Sequence, residues 1–126
     1  MTRKDGAPRP RDYLETPSHF GRYLEVSWLA VETDAERDAL WAAQWQHRIA
    51  VYASEALVFR EWTRDDLAQM LGRERQFIWD RFQGRTPMTL RDIAALERLL
   101  GVRVAVPGAG ILLPIEVQVA PADDGQ

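Results

Sequence analysis

Residues 63–102 read TRDDLAQMLGRERQFIWDRFQGRTPMTLRDIAALERLLGV, and this stretch decides the fold that the sequence predicts. A threonine followed three residues later by an aspartate occurs twice, at Thr63 and at Thr89. Each pattern is typical of a capping box, in which two side chains bond the first backbone amides of a helix. Gly72 and Gly84 interrupt the apolar pattern between them, as glycines do where helices end. Three short helices are therefore predicted.

A longer helix and two further segments precede this stretch. Apolar residues at four-residue spacing run from Trp41 to Leu57 and predict an amphipathic helix over residues 35–59, as one rod or as two shorter helices. Residues 21–33 mix aromatic and β-branched side chains and predict a strand. Residues 1–20 contain three prolines and several basic residues, and this composition predicts a disordered basic arm.

The apolar pattern changes from helical to alternating after Gly101, where residues 103–120 predict a β-hairpin followed by a tail over 121–126. Two strands do not hold together alone in water, so the strand at 21–33 is the candidate third partner, from the same chain or from a second copy. The predicted fold class is α+β, mainly α. It is a helix-turn-helix bundle over 34–102, with a flanking N-terminal strand and a C-terminal hairpin.

Composition excludes several classes of function. The chain has 126 residues, which suits one domain, and it has no cysteine for disulfides or thiolate metal sites. Its two histidines, His19 and His47, show no metal-ligand spacing, and no glycine-rich phosphate loop is present. The basic N-terminus lacks the apolar segment of a secretory signal. We therefore expect a cytoplasmic protein without a cofactor, a metal, a membrane span or an enzymatic activity.

Charge alone gives a mixed indication about nucleic acid. The net charge of −3 argues mildly against a polyanionic partner. Residues 73–91, however, carry five positive and two negative side chains, and a DNA-binding surface needs such local positive potential. The simpler alternative is a solvated coat of arginines on a small helical core.

The stretch 63–102 resembles the Cro- and phage-repressor-like helix-turn-helix family, often called the XRE type. The resemblance rests on these residues: Thr63, Arg64, Leu67, Ala68, Gly72, Ile78, Gly84, Leu100, Gly101 and Val102. The chain departs from the family pattern at Arg73 and Arg81, where an apolar residue is usual, and at Phe82, where an acidic residue is common.

The resemblance implies a fold like that of the lambda repressor, and a helix over 74–83 that enters the major groove of DNA. The base-contacting residues that it implies are Arg75, Gln76, Trp79 and Asp80. The phosphate-contacting residues that it implies are Thr63, Arg64, Arg73 and Arg85. The expected function is sequence-specific binding of double-stranded DNA by a transcriptional regulator that acts as a repressor. The expected assembly is a homodimer formed through the strands and the Trp-rich helix.

Two alternatives stay open at the level of sequence. An antitoxin or phage-type regulator would bind DNA and also hold a partner protein with its additional segments. A helix-turn-helix scaffold used only for protein contacts would need no DNA at all. The acidic net charge, Asp80 and the bulky Phe77 and Trp79 favour this second alternative.

Overall fold

Four α-helices dominate the part of the chain that the computed structural model describes, which is residues 8–105 and 116–119, with side chains over 8–102. The helices are α1 (Asp34–Arg60), α2 (Arg64–Leu71), α3 (Arg75–Phe82) and α4 (Leu90–Leu100). Two short 3-10 helices, Pro10–Tyr13 and Pro17–His19, precede them, and two strands, β1 (Val102–Ala105) and β2 (Glu116–Val119), follow.

The predicted capping boxes form at the starts of α2 and α4. The Thr63 hydroxyl accepts from the Asp66 amide at 3.0 Å, and the Asp66 carboxylate accepts from the Thr63 amide at 2.8 Å. Thr89 and Asp92 make the same pair of bonds. At its other end α2 stops at Gly72, whose φ of 67° is the left-handed conformation that glycine adopts most easily. The sequence predicted these boundaries, whereas the continuity of α1 over 27 residues is settled only by the structure.

The core lies along one face of α1, against which α3 and α4 pack, while α2 packs on α3. Small side chains such as Ala50 and Ala53 on α1 let the other helices approach closely, and both are fully buried. The large side chains around them come from every other helix: Leu67, Ile78, Phe82, Leu96 and Leu100. Burying each large side chain stabilises the fold by about 1.5–3 kcal/mol, so this cluster supplies most of the apolar driving force.

The N-terminal segment differs from both sequence expectations. Residues 21–33 form no strand; their one strand-like contact is an isolated bridge between Leu14 and Trp28. Within the predicted disordered arm, residues 8–20 make 3-10 turns and bury Tyr13, Leu14 and Phe20. Of the two aromatic residues that suggested a strand, Trp28 packs against His47 of α1, whereas Tyr23 is exposed and contacts His19. Residues 1–7 lie outside the described residues.

The fold class predicted from the sequence is therefore wrong, because the described chain is a mainly helical domain without a flanking N-terminal strand. β1 and β2 pair antiparallel, with Val102 opposite Val119, and this pair packs on α1 and α4. The helices, and not a third strand, cover it, and Val102 is buried in the helical core. Residues 106–115, the centre of the predicted hairpin, and the tail at 121–126 lie outside the described residues.

His47 joins the N-terminal segment to α1. The Gly21 amide donates to His47 Nδ1 at 2.9 Å, and His47 Nε2 lies 3.4 Å from the Leu24 carbonyl. The ring is buried between Phe20 and Trp28, with centroids at 5.3 and 5.5 Å. Because Nδ1 accepts a hydrogen bond, the ring is neutral, with its proton on Nε2. Burial lowers the pKa of His47 below its ordinary value, and the nearby Arg48 adds to this effect.

We predict that the fold loses stability as the pH falls below about 6.5, the ordinary histidine pKa. The unfolded chain takes up a proton there, whereas folded His47, with its lowered pKa, takes it up only at lower pH. The stabilisation is therefore complete above about 6.5 and disappears as the pH falls towards the folded pKa. Urea unfolding of the wild-type chain between about pH 7.5 and 5 measures this slope. The His47→Gln variant should lose most of it, and His19→Gln should keep it; an unchanged slope in His47→Gln contradicts the account.

Gly84 and Gly72 provide a matched test of how closely the N-terminal segment packs. Both have positive φ, so alanine at either position costs roughly 1–2 kcal/mol of backbone strain. A Cβ at Gly72 meets nothing within 4 Å, whereas at Gly84 it would lie 2.7 Å from Phe20 Cδ1. We therefore expect Gly84→Ala to lower the free energy of unfolding by roughly 1–3 kcal/mol more than Gly72→Ala. Equal losses in urea unfolding would show that Phe20 does not press on Gly84.

Candidate nucleic-acid interface

Two short helices joined by a tight turn form the candidate interface. Gly72 ends α2 and Arg75 begins α3, so only two residues lie between the turn glycine and the second helix. Leu67 and Ala68 of α2 are buried in the same cluster as Ile78 of α3. The small Ala68 lets the two helices approach closely.

α3 presents four different faces to its surroundings because successive residues are 100° apart around a helix. The inward face consists of Ile78 and Phe82, which are buried in the core. The outward face consists of Gln76, Asp80 and Gln83. One flank, Arg75 and Trp79, lies beside α2, and the other flank, Phe77 and Arg81, lies beside α4.

The outward face carries an internal hydrogen bond between two predicted base-contacting residues. Gln76 Nε2 donates to Asp80 Oδ1 at 2.7 Å, one helical turn away. This bond fixes the orientation of the Gln76 amide, so its Oε1 remains the acceptor on an exposed position. Gln76 is neutral and Asp80 is anionic, so the centre of this helix face carries no positive charge.

Arg75, the third predicted base-contacting residue, forms a bidentate ion pair across the turn. Its Nε and Nη2 donate to the two carboxylate oxygens of Asp65 on α2, at 2.6 and 2.5 Å. Hydrogen bonding by Arg75 lowers the pKa of Asp65 and raises that of Arg75. The two side chains remain 65% and 48% exposed, so water screens the pair strongly.

Trp79, the fourth predicted base-contacting residue, lies under a predicted phosphate-contacting one. The Arg64 guanidinium is 4.7 Å from a Trp79 ring centroid and 5.5 Å from that of Phe82. Its Nη2 makes a long contact of 3.5 Å with the Ser54 hydroxyl, and burial lowers its pKa. Arg64 therefore stacks on aromatic rings at the base of α2 and does not extend into solvent.

The other predicted phosphate-contacting residues divide into two kinds. Thr63 uses its hydroxyl and its amide in the capping box with Asp66, whose carboxylate occupies the start of α2. Arg73 and Arg85 are exposed, and within residues 8–102 neither forms an ion pair. Arg73 lies 4.5 Å from the Phe77 ring centroid. The structure thus leaves one available guanidinium just before α3 and another just after it.

Gln46, which was not predicted from the sequence as a site residue, holds the end of α3 in place. Its Nε2 donates to the Arg81 and Thr86 carbonyls at 2.8 and 3.0 Å, and its Oε1 accepts from the Met88 amide at 2.8 Å. One buried amide therefore satisfies three backbone groups in the connection from α3 to α4. The signal available in the sequence was the polar pair Gln46–His47 inside an otherwise apolar helical stripe.

Comparison of the chain with protein-family models, with curated proteins and with solved structures found no match in any of the three. Over residues 8–105 and 116–119, no helix combines the length and apolar character that crossing a bilayer requires. The same residues contain no group of three histidine or carboxylate side chains placed to hold a metal ion.

Replacing Gln46 by leucine should lower the free energy of unfolding by roughly 2–5 kcal/mol, because three backbone groups lose their partner and each buried loss costs about 1–3 kcal/mol before relaxation. Gln44→Leu, on the same helix but partly exposed, should change it by less than about 0.5 kcal/mol. Chemical unfolding of the two variants measures the difference. Similar values for both would mean that Gln46 does not hold the α3–α4 connection.

Proposed function

We propose that this chain is a sequence-specific DNA-binding transcriptional regulator that acts as a repressor and reads the major groove with α3. The observation that carries the proposal is the outward face of α3. Gln76, Asp80 and Gln83 are polar and lie on one side of the helix, where Gln76 is exposed and Asp80 and Gln83 are partly exposed. A major groove about 12 Å wide accepts one helix presented in this way. The resemblance to the XRE-type family supports the same role.

The polar groups on this face have the chemistry of base recognition. A glutamine side chain can bond the N6 and N7 atoms of adenine, and the Gln76 amide is already oriented by Asp80. An arginine can bond O6 and N7 of guanine with the same two-donor geometry that Arg75 now offers to Asp65. Because exposed ion pairs are weak, a guanine edge could replace the carboxylate at small cost.

Exposed arginines at both ends of α3 support phosphate binding. Arg73 precedes the helix and Arg85 follows it, so one backbone strand on each side of a groove could be bound. The Arg11 amide donates to the Gly84 carbonyl at 3.0 Å, which places a second arginine near Arg85. Burial lowers the pKa of Arg11, and repulsion by Arg85 and Arg9 adds to this. These arginines add positive charge beside Arg85, which the Arg9–Asp12 ion pair offsets in part.

A homodimer is part of the proposal, because one helix contacts few base pairs and two copies would read two half-sites about 34 Å apart. A groove of about 630 Å³ beside α1 offers an apolar surface for the second copy. Trp41 is 44% exposed there and Leu90 is 86% exposed, which is unfavourable for large apolar side chains left in water. The groove belongs to the Trp-rich helix that the sequence indicated.

A scaffold used only for protein contacts is the second candidate function. The Arg75–Asp65 ion pair favours it, since a guanidinium that donates to a carboxylate does not have the same donors free for a base. The stacking of Arg64 on Trp79 favours it as well. The two functions differ in whether duplex DNA binds at all.

Selection of duplexes from a random pool tests the proposal, with the Kd of the selected duplex measured against salt concentration. We expect binding to weaken steeply with salt, and Arg85→Ala to reduce the magnitude of the log–log slope by about one. Gln76→Ala should lose roughly 1–3 kcal/mol of discrimination at one base pair. No retardation of any duplex at low salt would leave the scaffold function.

Asp65→Asn separates the role of Arg75 from general charge. It releases the guanidinium and should tighten binding of the selected duplex by roughly threefold to tenfold, an effect that Arg75→Ala should abolish. Asp38→Asn is the matched control, because it removes the same charge from the first turns of α1, at the end of that helix remote from α2. Equal tightening by both variants would assign the effect to net charge and not to Arg75.

A further inference from the structure

A cleft between α3 and α4 is a second surface, distinct from the outward face of α3. Its volume is about 370 Å³, and the end of α2 closes one side of it. The Phe77 and Arg81 flank of α3 forms one wall, and α4 forms the other. The residues that give it its character are Phe77, Ala95 and Leu96 on the floor and Arg73, Arg91 and Arg98 on the rim.

The rim is strongly cationic, and within residues 8–102 Arg73, Arg91 and Arg98 have no carboxylate partner. Four arginines line the cleft, and the only carboxylate among the lining residues is Asp92. Asp92 is already occupied, because it accepts from Arg81 Nε at 3.2 Å and from the Thr89 amide at 2.9 Å. Within residues 8–102, Arg91 and Arg98 are exposed and form no ion pair.

The floor is apolar, and two arginines lie against the ring of its largest side chain, Phe77. The guanidinium of Arg81 lies 3.7 Å from the Phe77 ring centroid, and that of Arg73 lies 4.5 Å from it. Two cations therefore flank one ring, which is only partly buried. An occupant that inserts an apolar side chain would pack beside this ring and against Ala95 and Leu96, while its own charges meet the rim arginines.

From this geometry we infer that the α3–α4 cleft binds an acidic, amphipathic peptide segment of a partner protein, with an apolar side chain on the floor and carboxylates on the Arg73, Arg91 and Arg98 rim. The charge of the rim requires an anionic occupant. The floor requires a large apolar group, which the sugar–phosphate backbone of a duplex does not have. An acidic helix with leucines at i and i+4 satisfies both requirements. The inference does not rest on DNA binding by α3.

Arg73 belongs both to the cleft and to the proposed phosphate-contacting set. If both functions hold, a peptide that engages Arg73 removes a cation from the DNA surface, so the two ligands weaken each other by the same factor. Arg98 lies on α4 and belongs to the cleft alone. Arg85 lies on the connection after α3 and does not line the cleft. These two arginines therefore distinguish the two surfaces.

Fluorescence anisotropy of a labelled probe peptide on the full chain tests the inference. The probe is an acidic peptide with leucines at i and i+4, and its control has the same charge with serines in place of the leucines. We expect the leucine probe to bind and the serine control to bind at least roughly tenfold more weakly. Equal binding of both, or no binding of the leucine probe at low salt, would overturn the inference.

Substitutions on the rim and the floor of the cleft show where the leucine probe binds. Arg98→Ala and Arg91→Ala should each weaken the leucine probe by roughly threefold to tenfold, whereas Arg85→Ala should change it by less than about twofold. Ala95→Glu, which adds a carboxylate at the floor, should abolish binding; its circular dichroism and unfolding midpoint show whether it still folds. Equal weakening by Arg85→Ala and Arg98→Ala would overturn the inference.

Other occupants of the cleft give different results in the same set of variants. If Arg98→Ala weakened a duplex while the leucine probe did not bind, the cleft would be a DNA backbone site. If Arg98→Ala abolished self-association in light scattering while the probe did not bind, the cleft would hold a second copy of this chain. Either result would overturn the peptide assignment. The peptide assignment would be supported if only Gln76→Ala and Arg85→Ala lost DNA binding and both of these variants still bound the leucine probe normally.

Discussion

The buried side chain of Gln46 fixes the end of α3 to α1 through three hydrogen bonds to the backbone. α3 has only eight residues, has no side-chain cap at its start, and is followed by an irregular connection to α4. Gln46 binds this connection at Arg81, Thr86 and Met88 from the middle of the longest helix. Because all three backbone groups are satisfied by one amide, the end of α3 has one orientation relative to α1.

The adjacent His47 holds the N-terminal segment in the same way, and together the two residues bring separate parts of the chain to the end of α3. Phe20 lies against Gly84, and a Cβ at Gly21 would lie 2.1 Å from the Phe82 carbonyl oxygen. The N-terminal segment therefore packs against the C-terminal end of α3. On the polar face that the proposed function needs, Gln76 is exposed and Asp80 is partly exposed.

The helices were predictable from the sequence because their determinants are local. Capping boxes at Thr63 and Thr89, and a left-handed glycine at Gly72, act within a few residues and need no tertiary context. The N-terminal segment was not predictable in this way. Its proline and charge content indicates disorder, and its aromatic residues indicate a strand, whereas its actual conformation depends on bonds to His47, 26 residues away from Gly21.

The candidate site was predictable in position but not in the state of its side chains. Residues 75–82 form the helix that the sequence indicated, and Arg75, Gln76 and Asp80 are all on accessible sides of it. That Asp65 holds Arg75 and that Trp79 lies under Arg64 depends on how α2 crosses α3, which no local pattern encodes. The basic cleft was not predictable for the same reason, since Arg73 and Arg98 line one cleft only in the folded chain.

Amide chemical-shift mapping by NMR tests directly whether the outward face of α3 contacts duplex DNA. The labelled full chain is titrated with a duplex chosen by its own selection experiment. We expect the largest shifts on the amides of Arg73, Gln76, Asp80 and Arg85, while those around Trp41 in the apolar groove stay unchanged at constant dimer content. Shifts confined to other surfaces, with α3 unaffected at saturating duplex, would contradict this expectation.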